Sequence, residues 1–154
     1  MELINVIESG NFYEAKKADR FIGSLEFKNW LANTSKLYVG QEEFIYKPNF
    51  FQTKFELKRG DEIVLQARSV GGDIEFIFSG NEKFFLKDKG FFKRGYLLYD
   101  EVGKVIFEIK SWFTWQNLNS GYSIRCMNGF TGGREEVILV LLCVYHYILD
   151  QQAG

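Results

Sequence analysis

The chain has 154 residues and a formal net charge of −1, so it lacks the overall positive charge expected of a nucleic-acid-binding domain, and we expect no nucleic acid as a partner. The length suits a single domain over residues 1–154. Sixteen Phe, eight Tyr and one Pro favour continuous β structure, and two separated cysteines, Cys126 and Cys143, indicate neither a disulfide framework nor a zinc site.

The first residues contain no basic segment followed by a long apolar run, which predicts that there is no signal peptide. With so few cysteines, the expected compartment is the reducing cytoplasm. In residues 1–35, apolar and polar residues alternate less regularly than in the rest of the chain, and residues 15–18 are compatible with a helical turn.

Short runs that alternate apolar and polar residues recur over about residues 12–127, separated by turn residues. The run 74–78, for example, alternates cleanly after the turn signal Gly71-Gly72-Asp73. Spacing of about 8–12 residues between such signals is typical of an antiparallel meander that forms a barrel or a sandwich.

Residues 137–149 are apolar on every side, and His146 is their one clearly polar member. A helix without a polar face must be surrounded by protein or by lipid. As a helix the run is about 20 Å long, whereas a bilayer core is about 30 Å thick, so a membrane tail anchor is the weaker alternative. The sequence therefore predicts an α+β fold, mainly β: a closed antiparallel barrel of about 10–12 strands that encloses a helix at about residues 133–151.

Two segments resemble the tubby C-terminal-like superfamily, and most closely its LURP-one-related and phospholipid-scramblase-like branch. Residues 95–110 are similar to that family's repeated strand, turn and strand, and residues 133–150 are similar to its closing helix. The resemblance covers about residues 12–152 and implies a barrel of about twelve strands around the last helix, together with a loose association with membranes and lipids. The chain lacks the scramblases' calcium-binding segment, cysteine cluster and proline-rich region, so no functional residue is carried over.

We predict no catalytic, cofactor-binding or metal-binding residues, and hence no enzyme. The single histidine, His146, lies inside the apolar helix, where a structural role is favoured over a catalytic triad. No glycine-rich segment has the lysine and the spacing of a phosphate-binding loop. Pairs of acids such as Asp61 and Glu62 occupy predicted turns, where solvation explains them.

The strongest candidate binding surface is the segment 83–94, in which cations alternate with four phenylalanines. Its cations are Lys83, Lys87, Lys89, Lys93 and Arg94. This composition suits the headgroups of anionic lipids, and it also suits single-stranded nucleic acid. The alternative is a hairpin whose phenylalanines face the core and whose lysines protect a sheet edge.

A second candidate is the segment 112–115, which core packing at the barrel rim explains as well as a partner-binding patch does. The function that we predict is a non-catalytic binding or scaffolding module, whose partner is an anionic lipid surface or another protein. One alternative is a peripheral membrane protein that binds lipid headgroups through residues 83–94. The other is a small hydrolase, which requires a cleft with convergent polar groups.

Overall fold

The computed structural model describes residues 2–29, 32–90, 95–116 and 119–153. Within these ranges the chain forms twelve strands followed by one helix. The elements are β1 Glu2–Ser9, β2 Phe12–Lys17, β3 Arg20–Asn29, β4 Thr34–Val39, β5 Glu42–Pro48, β6 Lys54–Arg59, β7 Glu62–Val70, β8 Asp73–Phe78, β9 Lys83–Asp88, β10 Tyr96–Asp100, β11 Val105–Thr114, β12 Asn119–Cys126 and α1 Arg134–Ala153.

The strands form one closed antiparallel barrel in which neighbours in sequence are neighbours in space. Closure comes from the pairing of β1 with β12, in which Ile4 lies opposite Ile124. Closing the sheet leaves no unpaired edge and creates an interior that side chains must fill. The predicted fold class is therefore confirmed.

The amino-terminal region differs from the prediction in two respects. The strand Glu2–Ser9 precedes the predicted first strand, and it pairs with both β2 and β12. Residues 15–17 belong to β2 rather than to a helical turn. Ala15 is fully buried and paired with Val6, so barrel closure overrides the local helical preference of alanine and lysine.

The helix α1 lies inside the barrel, where its residues from Val137 to Ile148 are all buried. The barrel approaches the helix closely at Gly23 of β3, where an added Cβ atom would lie 2.9 Å from Cγ1 of Val137. The predicted central helix is thus confirmed, within two residues at each end. Among the described residues, no helix is both long and apolar enough to cross a membrane.

The two ends of the barrel differ in their connections. Because neighbouring strands are antiparallel, every connection that follows an odd-numbered strand leaves from the same end, which we call the loop end. The connections that follow even-numbered strands leave from the opposite end, which we call the turn end. The helix begins at the turn end and finishes at the loop end, where its residue Asp150 accepts a hydrogen bond from the Tyr96 hydroxyl at the start of β10.

Candidate functional site

The connection between β5 and β6 at the loop end holds two adjacent phenylalanines in water. Phe50 is 92% exposed and Phe51 is 78% exposed, and their rings pack edge to face with centroids 5.2 Å apart. Exposure of this kind is unusual for large aromatic residues, since burying one phenylalanine contributes about 1.5–3 kcal/mol. The pair therefore forms an apolar tip at the loop end.

Hydrogen bonds at the base of this connection fix its shape. The Asn49 carboxamide oxygen accepts hydrogen bonds from the backbone amides of Thr53 (2.9 Å) and Lys54 (3.2 Å). The backbone amide of Gln52 also donates to the Asn49 carbonyl oxygen at 3.1 Å. Gln52 adopts a left-handed backbone conformation with φ of 57°, and its side-chain oxygen accepts a 2.8 Å hydrogen bond from Asn33. The two phenylalanines are thus held outward by an ordered turn.

Two exposed lysines, Lys47 and Lys54, flank the phenylalanine tip. Both line a groove of about 760 Å³ on the outer wall of strands β5 to β8. The other charged and polar residues of this groove are Asn49, Glu56, Lys58, Gln66 and Arg68. Among the described residues Lys47 and Lys54 form no ion pair, whereas Arg68 donates to Glu75 at 2.8 Å. Lys47 lies opposite Glu56 in the pairing of β5 with β6, and Lys54 lies opposite Arg68 in the pairing of β6 with β7. Of the two lysines, Lys54 is therefore the one without an acidic neighbour directly across the sheet.

A second aromatic pair lies across the loop end, at the connection between β11 and β12. Trp115 is 83% exposed and Phe113 is 48% exposed, with ring centroids 4.9 Å apart. β5 and β11 are separated by six steps around the barrel, so the two aromatic pairs lie on opposite sides of its rim. Of the two explanations offered for residues 112–115, the exposure of Trp115 favours a partner-binding patch over core packing.

The described side chains of the predicted basic segment 83–94 lie in different environments. Phe84 and Leu86 pack against the core, whereas Lys87 is exposed and lies 5.6 Å from the centre of the Tyr99 ring. Lys83 lies at the turn end of β9 and Lys89 follows its loop end, so the two are not brought together. Lys93 and Arg94, like Phe91 and Phe92, lie outside the described residues. An anionic-ligand surface formed by this segment stays a prediction.

Lys89 has an acidic partner within the protein. Its ammonium lies 2.5 Å from a carboxylate oxygen of Glu108, and both side chains are largely buried. This hydrogen bond holds the pKa of Glu108 below its usual range, against the opposing effect of burial. Arg125 lies 3.5 Å from the other oxygen of the same carboxylate. Much of the charge of Lys89 is therefore neutralised by Glu108.

His146 is buried in the barrel interior with Tyr46. Its Nε2 atom and the Tyr46 hydroxyl are hydrogen bonded at 2.8 Å, and the rings of Phe55 and Phe76 pack against it. Burial lowers the pKa of His146 to about 3, so the imidazole is neutral at physiological pH. This geometry supports the structural role that was predicted for the single histidine.

A cleft of about 410 Å³ opens beside the last turn of the helix. Its polar lining residues include Ser69, Asp88, Tyr96, His146 and Asp150. Asp150 accepts a hydrogen bond from Tyr96, and Asp88 accepts one from the backbone amide of Gly90 at 2.8 Å. These carboxylates thus have partners within the protein. The described residues contain no cluster of three or more histidine, cysteine or acidic side chains that could hold a metal ion.

Both cysteines are free and buried. Burial raises the pKa of Cys126 to about 11 and raises that of Cys143 further above its ordinary value. Neither thiol is therefore a good nucleophile near neutral pH, because the thiolate is the reactive form.

Comparison with known proteins supports the fold and leaves the function open. No family model matches the sequence, and no curated protein matches it. Among solved structures, the X-ray structure of a protein from Arabidopsis thaliana, AT5G01750, is similar with a TM-score of 0.62. The similarity covers 96% of this chain and 90% of that chain at 9% sequence identity. At this identity the similarity concerns the fold alone.

Sequence reasoning missed the phenylalanine tip, although a signal for it was present. The segment Lys47-Pro48-Asn49-Phe50-Phe51 places two adjacent phenylalanines directly after two turn-forming residues. Adjacent residues in a strand point to opposite faces, so at most one of two neighbouring phenylalanines can face a core. In a turn there is no core face for either ring, and both are exposed.

Proposed function

We propose that this protein is a non-catalytic binding module that contacts its partner with the loop end of the barrel. The observation that carries this proposal is the pair Phe50 and Phe51, which an ordered turn holds almost fully exposed. Exposed aromatic residues beside free cations are characteristic of binding surfaces rather than of solvated turns.

The filled interior of the barrel also supports the view that a partner binds to its outer surface. The lumen is filled by the helix α1, whose residues Ile138 and Val140 to Tyr145 are completely buried. A carrier of the lipocalin type needs a cavity for its ligand at this position. A hydrolase is less well supported, since the carboxylates of the cleft beside the helix are already hydrogen bonded within the protein.

The same proposal includes a place among tubby C-terminal-like proteins, on the LURP-one-related and scramblase-like branch. The fold similarity to the Arabidopsis thaliana structure and the two resembling segments support this placement. We also propose a cytoplasmic location, which the free thiols of Cys126 and Cys143 support.

Photo-crosslinking from the two ends of the barrel tests this function. A benzophenone amino acid is introduced in place of Phe51 at the loop end, or of Val102, an 87% exposed residue at the turn end. We expect adducts with a partner molecule, either protein or lipid, from position 51 and none from position 102. Equal labelling from both positions, or no adduct from either, would contradict a binding role for the loop end.

A further inference from the structure

We propose that the partner of the loop end is the surface of a membrane that contains anionic phospholipids. In this arrangement Phe50 and Phe51 enter the interface between headgroups and acyl chains, while Lys47 and Lys54 contact lipid phosphates. The inference rests on the proposed function and names the partner of that same surface.

The phenylalanine tip has the properties required for insertion into a lipid interface. Both rings project from a connection rather than from a strand, so nothing in the barrel wall shields them. The Asn49 hydrogen bonds hold the connection in place, which reduces the conformational entropy lost when the tip is buried. Removing two large rings from water supplies an apolar contribution to binding.

The charges beside the tip favour an anionic surface over a neutral one. Lys47 is the penultimate residue of β5 and Lys54 is the first residue of β6, so the two lysines flank the connection that carries both rings. Each cation held near an anionic leaflet adds favourable electrostatic energy. Of the acids at this end, Glu8, Asp88 and Asp150 are hydrogen bonded within the protein, and Glu75 is paired with Arg68. Two further acids lie near the tip: Glu56 is opposite Lys47 across β5 and β6, and Asp73 begins β8.

The position of the second aromatic pair favours a flat partner of large area. With strands about 4.8 Å apart and tilted by about 40°, a twelve-stranded barrel is about 24 Å across. Phe113 and Trp115 lie on the opposite side of this rim from Phe50 and Phe51. A peptide bound at either pair would leave the other exposed, whereas a membrane contacts both. Tryptophan is also enriched at membrane interfaces.

Co-sedimentation with vesicles tests the proposal with the intact protein. We expect the wild-type chain to pellet with vesicles of phosphatidylcholine and phosphatidylserine, and to bind vesicles of phosphatidylcholine alone more weakly. The double variant Phe50→Ser and Phe51→Ser should lower the partition coefficient about tenfold or more. The double variant Lys47→Gln and Lys54→Gln should lower it about tenfold on anionic vesicles, with little change on neutral ones.

Matched controls come from the turn end, where Val102→Ser and Lys104→Gln change an exposed apolar residue and an exposed cation. Both controls should bind as the wild type does, and thermal unfolding should show that all variants are folded. The proposal fails if the wild type does not bind anionic vesicles, or if the loop-end variants bind as well as the turn-end controls. Crosslinking of a protein from position 51 without vesicle binding would refute the membrane as the partner and leave the binding function intact.

Discussion

The two ends of the barrel close the same sheet in different ways. At the turn end, β4 and β5 are joined by Gly40 and Gln41, and β6 and β7 by Gly60 and Asp61. Gly40 and Gly60 adopt positive φ values of 62°, which glycine tolerates without strain. The loop end also has two-residue turns, at Gly10-Asn11 and Gly71-Gly72, but its longer connection after β5 exposes Phe50 and Phe51. Among the described residues, the turn end exposes Val102 in a connection and Phe21 at the start of β3, whereas the loop end carries two exposed aromatic pairs, Phe50 with Phe51 and Phe113 with Trp115.

On the proposed function, recognition belongs to the loop end, while contacts at both ends hold the helix to the barrel. Charged residues at the turn end connect strands and helix, since Glu42 pairs with both Arg59 and Arg134. The loop end has an ordered base but an apolar tip that contributes nothing to the core. The following predictions test this assignment of roles to the two ends.

The helix is packed tightly against the barrel wall at Gly23, near the turn end, so a larger side chain there should be costly. In Gly23→Ala the new methyl group would lie 2.9 Å from Val137 Cγ1 and 3.0 Å from the Tyr38 carbonyl oxygen. We expect the free energy of unfolding to fall by about 1–3 kcal/mol, measured by urea denaturation. The matched control is Gly80→Ala, where an added Cβ atom meets nothing within 4 Å. Equal stability of the two variants would show that the helix is not closely enclosed.

The burial of His146 predicts that the free energy of unfolding depends on pH. This dependence reports whether water reaches the histidine from the loop end. The pKa of His146 is about 3 in the folded protein, against 6.5 for an ordinary histidine, so the unfolded chain binds the proton more readily. Stability should therefore fall as the pH drops from about 6.5 towards 3, by up to about 1.4 kcal/mol per pH unit.

The variant His146→Gln offers the Tyr46 hydroxyl a hydrogen-bonding partner that does not titrate. Urea denaturation between pH 7 and pH 4 should show a smaller loss of stability than in the wild type, with the difference growing as the pH falls. Parallel curves for the two proteins would mean that water reaches His146 from the loop end.

The ion pair between Lys89 and Glu108 ties the start of the β9–β10 connection to the barrel wall. Because both side chains are largely buried, Glu108→Gln should lower the free energy of unfolding by about 1 kcal/mol at pH 7. The pKa of Glu108 is lowered in the folded protein, so this contribution is present above the ordinary carboxyl pKa. It is lost as the pH falls through the lowered value.

The control for this variant is Glu43→Gln, which removes a more exposed ion pair with Lys36. We expect a change in unfolding free energy close to zero for Glu43→Gln in the same denaturation experiment. A loss as large as that of Glu108→Gln would mean that burial does not strengthen the Lys89 pair.

The smallest effect on stability is expected at the phenylalanine tip. The double variant Phe50→Ser and Phe51→Ser should change the free energy of unfolding by less than about 0.5 kcal/mol, because neither ring is buried. The neighbouring Phe55 is 3% exposed, and Phe55→Ala should cost about 3–5 kcal/mol. A large loss of stability in the tip variant would place these rings in the core and remove the argument for a binding surface.

The central helix and the barrel could be predicted because their patterns extend over many residues. A helix from Val137 to Leu149 has no polar side, so in a single domain it must be surrounded by the rest of the protein. The repeated alternation of apolar and polar residues predicts strands that can form a barrel around it. The first strand was missed because Glu2–Ser9 becomes a strand through its pairing with β12, at the other end of the sequence. Local pattern carries no information about such a long-range pairing.

The candidate surface was harder to predict because it depends on register and on turn geometry. The sequence drew attention to the cations of residues 83–94, yet the partner of Lys89 is Glu108, a strand residue nineteen positions further along the chain. The Phe50–Phe51 pair looks like the two other adjacent phenylalanine pairs of this sequence, Phe84–Phe85 and Phe91–Phe92, until the turn formed by Asn49 is known. Whether a side chain in a connection between strands is exposed depends on such hydrogen bonds, and composition does not specify them.

The central claim is that the loop end, and not the turn end, contacts the partner surface. It is tested most directly with an environment-sensitive fluorophore attached to a cysteine at position 51 or at position 102, since Cys126 and Cys143 are fully buried and protected from labelling. On addition of vesicles containing phosphatidylserine, the emission should shift to shorter wavelength from position 51 and stay unchanged from position 102. A shift from position 102 would contradict the account, and a shift from neither position would refute the membrane as the partner.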